Sequence, residues 1–264
     1  MQFKTGLFFL FISIYLVACQ GTESTKTLSQ TADIENDNKF VAAVERAHKK
    51  KTFLSKKAIQ ANIRLVFRGK ERMKAVLTIL PNSTKAMLDF KDGNRLQYVE
   101  DKVYYSPNTE VTKKLRFDAY TWAYFFIFPY KLSDEGTVWT DFEQDTLQGK
   151  SYLTQKLNFK AGTGDDPDDW YIAYADKETN LIEVAAYIVT ANKTLEEAEK
   201  DPHAIQYLDY KEVDGVPIAT KWLFWEWRKE GGLTQELGSA ELSNIQFIEV
   251  EESYFQPADG FKEL

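Results

Sequence analysis

From Ile59 to Arg68 the chain alternates. Ile59, Ala61, Ile63, Leu65 and Phe67 are interleaved with Gln60, Asn62, Arg64 and Arg68, and only Val66 breaks the pattern. A period of two puts the apolar set on one face of a strand and the polar set on the other, so this segment needs a sheet with one buried face. The same signature recurs down the chain, punctuated by turn residues. Gly69 and Lys70 turn into a strand over Met73 to Leu80, ended by Pro81. Lys85 to Phe90 follows, then the Asp92-Gly93-Asn94 turn, Leu96 to Val99, and Lys102 to Tyr105 before Ser106-Pro107-Asn108. Further on, strands are expected at Val138 to Phe142, Lys150 to Lys160, Trp170 to Ala175, Leu181 to Val189 and Ala204 to Lys211. Asp214-Gly215 turns into Val216 to Arg228, and Gly231-Gly232 leads to Gln235 to Glu249.

Residues 117–132 do not fit this period. Eight of these sixteen residues are aromatic, too dense for a half-exposed strand and too short to cross a bilayer. They predict a buried helix over 117–128, stopped by Pro129. A helix capped by Asn38 should carry Phe40, Val41, Val44 and Ala47 on one face, and a short acidic helix is expected over Thr194 to Lys200. Sequential hairpins with so few helices imply a mainly β, α+β fold: one curled antiparallel sheet of about ten strands, forming an unclosed half-barrel. The N-terminal helix and the aromatic helix would lie on its concave side.

The first residues carry an address. Lys4 precedes an apolar run from Gly6 to Val17, interrupted only by Ser13 and Tyr15. As a helix it would span about 18 Å, against a hydrocarbon core of about 30 Å, which marks a signal segment rather than a membrane span. Leu16-Val17-Ala18-Cys19 resembles the lipobox of bacterial lipoproteins. That resemblance implies cleavage before Cys19, lipidation of its thiol, and attachment to the membrane through the acyl chains. Gln20, in place of an Asp that would resemble an inner-membrane retention signal, favours the outer membrane, with the facing side left open. Residues 19–37 are polar and aperiodic and read as a tether, so the organisation expected is a signal peptide over 1–18, a tether over 19–37 and one folded domain over 38–264.

Charge and composition exclude several functions. The 264 residues hold 33 Lys and Arg against 40 Asp and Glu, for a net charge of -7, and phosphate-backbone binding calls for the opposite balance. Removing residues 1–18 takes only Lys4 from that count. The single Cys excludes an internal disulfide, and two His disfavour an all-His metal site.

The order of elements resembles the LolA-like and LolB-like fold of bacterial lipoprotein carriers, most closely the LolA-like outer-membrane lipoproteins common in Bacteroidota, a domain of unknown function. The residues that carry the resemblance run from Tyr124-Phe125-Phe126-Ile127-Phe128-Pro129-Tyr130-Lys131-Leu132 to Gly136, then Asp166-Pro167-Asp168-Asp169-Trp170-Tyr171-Ile172 and Asp176-Lys177-Glu178-Thr179-Asn180. Tyr210-Lys211-Glu212-Val213-Asp214-Gly215-Val216-Pro217-Ile218-Ala219-Thr220 and Ile245-Gln246-Phe247 complete it, over roughly residues 55–255. It implies a cavity lined by aromatic and aliphatic side chains that accepts acyl chains. True carriers are soluble shuttles, whereas a lipidated Cys19 would hold this chain on a membrane.

The expected lining is Ile63, Leu65, Phe67, Trp122, Phe125, Phe126, Trp222 and Phe224. The function expected is that of a non-catalytic lipoprotein of the cell envelope holding a lipid or another hydrophobic ligand. No cofactor or protein partner is specified. A core packed solid by the same side chains would instead leave an anchored interaction or structural protein. Trp222 and Phe224 should face one side of their strand and Trp225 and Trp227 the other, where aromatic platforms could stack on sugars. A glycan hydrolase would require two carboxylates across a cleft, and forty acids leave the pair unselected. Asp165, Asp166, Asp168 and Asp169 offer oxygen ligands for Ca²⁺, but the loop has Trp170 where an EF-hand needs Gly, and a solvated turn is the simpler expectation. Gly162-Thr163-Gly164 opens no helix, and neither a nucleophile elbow nor a zinc motif is present. His48, near a helix end, and His203, in a loop, are expected to be surface or capping groups rather than general bases.

Overall fold

A computed structural model describes residues 39–264. The signal segment 1–18, Cys19, the tether 19–37 and the Asn38 cap lie outside the described residues. Among the described residues, thirteen strands form one antiparallel sheet that is not closed into a barrel. Helical residues 39–47 (α1) and Lys50–Leu54 (α2) are followed by β1 (Ala58–Phe67), β2 (Lys70–Ile79), β3 (Lys85–Phe90), β4 (Arg95–Val99) and β5 (Lys102–Tyr105). After α3 (Leu115–Ile127) and a 3-10 turn at Phe128–Tyr130 come β6 (Thr137–Leu147), β7 (Lys150–Phe159), β8 (Tyr171–Asp176) and β9 (Ile182–Tyr187). The chain continues through α4 (Leu195–Glu199), β10 (His203–Val213), β11 (Val216–Arg228), β12 (Gly232–Ile248) and β13 (Lys262–Glu263).

The strand order is β13-β5-β4-β3-β2-β1-β12-β11-β10-β9-β8-β7-β6. Two meanders, β1–β5 and β6–β12, are thus joined where β1 pairs with β12. β5 and β6 lie toward opposite edges, so the connection between them has to cross the sheet. That connection contains α3. Its aromatic sequence follows from this position: Ala119, Trp122, Ala123, Phe125, Phe126 and Ile127 are all buried, and a helix laid across a concave face is apolar over most of its circumference.

Alternation holds through β1, where Ile59, Ala61, Ile63 and Leu65 are at most 1% exposed and enter the main core with α3. At the other end of α3, the N-terminal helices close the sheet: Phe53 stacks on Tyr130 at 3.9 Å, and Phe40 meets Trp139 at 5.8 Å. Lys49 interrupts the helix with φ 57, separating α1 from α2.

Several boundaries differ from the sequence expectation. The strand expected to end at Phe142 runs on to Leu147, although Asp141 to Gln144 are exposed. Hairpin pairing with β7 supplies its backbone hydrogen bonds, and a bulge between Thr140 and Glu143 absorbs the irregularity. β13, two residues long, forms the edge beside β5 and lacks the length for a periodic signal.

A groove beside α3 as the candidate functional site

The inner face is filled unequally along α3. Around its C-terminal half the core is nearly solid, with a void of about 10 Å³ lined by His48, Phe126, Tyr130, Tyr207, Tyr210 and Trp222 among others. That is at the lower limit for a single water molecule. Around its N-terminal half lies a groove of about 600 Å³, within the range of about 300–1,000 Å³ common for small-molecule sites.

Its floor is aromatic. Phe67 of β1 stacks on Phe224 of β11 at 5.0 Å, and Trp122 approaches Phe67, Phe125 and Phe224 at 6.2, 6.3 and 6.1 Å. Tyr187, Leu237 and Phe117 extend the apolar surface. The stack depends on Gly238, which pairs with Phe67 on one side and Phe224 on the other. A Cβ at Gly238 would stand 2.4 Å from the Val66 carbonyl oxygen and 2.7 Å from the Phe67 ring, so only glycine lets the rings close over that strand.

The mouth is basic. Arg68, Arg72, Lys113, Lys114 and Lys193 line it, and among the described residues no Asp or Glu does. The β1–β2 turn places Arg68: Arg68 and Gly69 both have positive φ, 49° and 74°, as the tight hairpin requires. Arg72 donates to Asp118 at 2.7 Å, and the Trp122 indole N–H reaches the same carboxylate at 3.3 Å. The Arg72 guanidinium also lies 5.6 Å from the Trp122 ring centre. Lys193 pairs with Asp201 at 3.2 Å. His203 opens β10, opposite Tyr187, and is therefore in a strand and partly buried rather than in a surface loop. Burial holds its pKa below the ordinary value.

Of the eight residues expected to line a cavity, Phe67, Trp122, Phe125 and Phe224 border this groove. Phe126 and Trp222 border the small void instead, and Ile63 and Leu65 are buried in the core. His48, expected as a surface or capping group, is fully buried. Its Nε2 accepts from the Ile182 amide at 3.0 Å, and burial pushes its pKa down to about 3, so it is a neutral structural acceptor. The groove's basic mouth and Gly238 were not singled out from sequence; an isolated glycine within a strand pattern was the available signal for the latter.

Asp165 is held by Arg116 at 2.9 Å, and Asp169 accepts from the Thr190 N–H and hydroxyl at 2.7 and 2.8 Å. Among the described residues no three His, Cys, Asp or Glu side chains gather as a metal site. Asp176 organises the β8–β9 turn, accepting from the amides of Glu178 and Thr179 at 3.0 and 2.8 Å. Trp225 and Trp227 lie in a second cluster on the opposite side of the sheet from Trp222 and Phe224. There Trp227 is 4% exposed and packs edge-on with Trp170 at 6.1 Å, while Lys156 lies over the Trp170 ring, so Trp227 presents no open face for a sugar.

The sequence profile of a family of unknown function, DUF6503, matches residues 89–232, more than half of the chain. The chain belongs to this family. The matched span runs from β3 into β12 and includes α3, Tyr187, His203 and Phe224, but not Phe67, Arg68 or Gly238. Among the curated proteins no sequence matches. A LolA superfamily protein from Nitrosomonas europaea is similar in structure, with a TM-score of 0.50 at 8% identity over 79% of this chain and 97% of that one. A putative outer membrane lipoprotein-sorting protein domain from Vibrio parahaemolyticus gives 0.51 at 11% identity, over 81% and 95%. At such identities the likeness establishes the LolA-like fold of this DUF6503 chain. Among the described residues no helix is long and apolar enough to cross a membrane.

Proposed function

We propose that this protein is a non-catalytic lipoprotein of the cell envelope that holds a hydrophobic ligand, an acyl chain or lipid, in the groove beside α3. The groove carries this reading: about 600 Å³ of space over an aromatic floor, against about 10 Å³ in the void around the other half of α3. Burying each methylene of an acyl chain there would contribute about 0.8 kcal/mol, so a chain of ordinary length has enough to gain. Among the described residues no carboxylate lines this groove, which disfavours a glycan hydrolase there. The fold shared with lipoprotein-sorting domains agrees with an envelope role. In this account Cys19 is lipidated and anchors the chain to the outer membrane, and residues 19–37 give the domain reach.

The test is native mass spectrometry with organic extraction of the full chain, gently purified from membranes. A non-covalently bound lipid, or a thermal shift on adding fatty acids or phospholipids, supports the proposal. Finding neither would overturn it.

A further inference from the structure

The groove combines two features that a purely apolar ligand does not need together. Its floor is formed by Phe67, Trp122, Phe125 and Phe224, and its mouth by five cations in a chain whose net charge is -7. Two of these cations are neutralised locally, Arg72 by Asp118 and Lys193 by Asp201. Arg68, Lys113 and Lys114 are exposed and have no carboxylate within ion-pair distance among the described residues. They sit on separate elements, Arg68 on the β1–β2 turn and the two lysines just before α3, yet all three border one cleft. Among the described residues no Asp or Glu borders this cleft.

From this charge complementarity we infer that the occupant is a lipid with a phosphate head, its acyl chain on the aromatic floor and its head among Arg68, Lys113 and Lys114. The inference rests on the proposed lipid-binding reading and names the class of ligand. A carboxylate brings one charge and two acceptor oxygens. A phosphate monoester brings a charge of about −1.5 to −2 and three acceptor oxygens, which matches three unpaired cations better. Arg68 can meet such a head with a planar fork and the lysines as mobile point charges.

The experiment titrates the full chain, in a non-ionic detergent, with three probes of one chain length: dodecyl phosphate, dodecanoate and dodecanol. Native mass spectrometry reads the bound fraction. Dodecyl phosphate should bind most tightly and dodecanol least, with a separation of at least about tenfold that shrinks as salt is raised. Changing Arg68→Gln, Lys113→Gln and Lys114→Gln together should weaken dodecyl phosphate by about tenfold or more and leave dodecanol unchanged. These side chains are exposed, so the fold should tolerate the change. Exchanging Lys91, Lys229 and Lys262 for Gln alters the net charge equally and should leave all three affinities as they were. Equal binding of the three probes, or loss of dodecanol with dodecyl phosphate in the groove variant, would overturn the headgroup inference while leaving a lipid site standing. Tightest binding of dodecanoate would overturn the choice of phosphate. Failure of all three probes to bind would instead strike the lipid-binding reading itself.

Discussion

The Arg72 guanidinium lies 2.7 Å from the Asp118 carboxylate, so the β2 strand is tied to the first turns of α3 beside the groove. Asp118 also holds the Trp122 indole, one helical turn along, at 3.3 Å. One carboxylate thus fixes the floor and part of the mouth. Asp118→Asn keeps an acceptor but removes the charge; it should cost about 1 kcal/mol of stability. Faster amide exchange at the start of α3, read by hydrogen–deuterium exchange, is the accompanying expectation. Unchanged exchange there would show that the tie does not position the helix.

Gly238→Ala tests the floor from the other side. The new methyl would press on the Phe67 ring and on the Val66 carbonyl oxygen, and the latter cannot move without disturbing the β1–β12 pairing. A loss of about 1–3 kcal/mol in urea unfolding is expected. The same variant should weaken ligand binding, because Phe67 is pushed out of its stack on Phe224.

His48 sets a pH dependence of stability. Unfolded, it takes up a proton near pH 6.5; folded, burial keeps it neutral down to about 3. The unfolded state therefore binds the extra proton between these values, and stability falls as pH drops through that window. Asp169 acts oppositely, because burial raises it to about 6 and its protonation favours the folded state between about 6 and 3.8. The difference between wild type and His48→Gln isolates the histidine. Wild type should lose about 1.6 kcal/mol more than the variant between pH 6.5 and pH 5. Parallel curves would contradict a buried, neutral His48.

Cys19→Ser should release the protein from membranes into the soluble fraction, since no other anchor is proposed. Continued tight attachment after a carbonate wash would contradict lipidation at Cys19.

The sheet was readable because its signal is local. Each hairpin announces itself by alternation and a turn, and β11 even shows which aromatics share a face: Trp222 and Phe224 on one, Trp225 and Trp227 on the other. The helix α3 was readable for a different reason, since no half-exposed strand tolerates eight aromatics in sixteen residues. What periodicity could not give was depth along α3. Phe126 and Trp222 meet a solid core, while Phe125 and Phe224 border open space, and the distinction depends on where α1 and α2 seal the sheet. The burial of His48 is invisible in the local sequence because its partner, Ile182, is 134 positions away in the chain. The basic mouth was hidden in the same way, spread over a turn, a helix start and a distant loop within a sequence whose total charge is negative.

The groove itself is best probed in a membrane. The full chain would be reconstituted in vesicles containing a phospholipid with a diazirine on its acyl chain, irradiated, digested and mapped by mass spectrometry. Adducts concentrated on peptides carrying Phe67, Trp122, Phe125 and Phe224, and abolished when Thr121, which lines the groove, is filled out as Thr121→Trp, are the predicted result. Adducts confined to the outer cluster around Trp170 and Trp225, or a pattern indifferent to Thr121→Trp, would contradict an acyl chain in the groove.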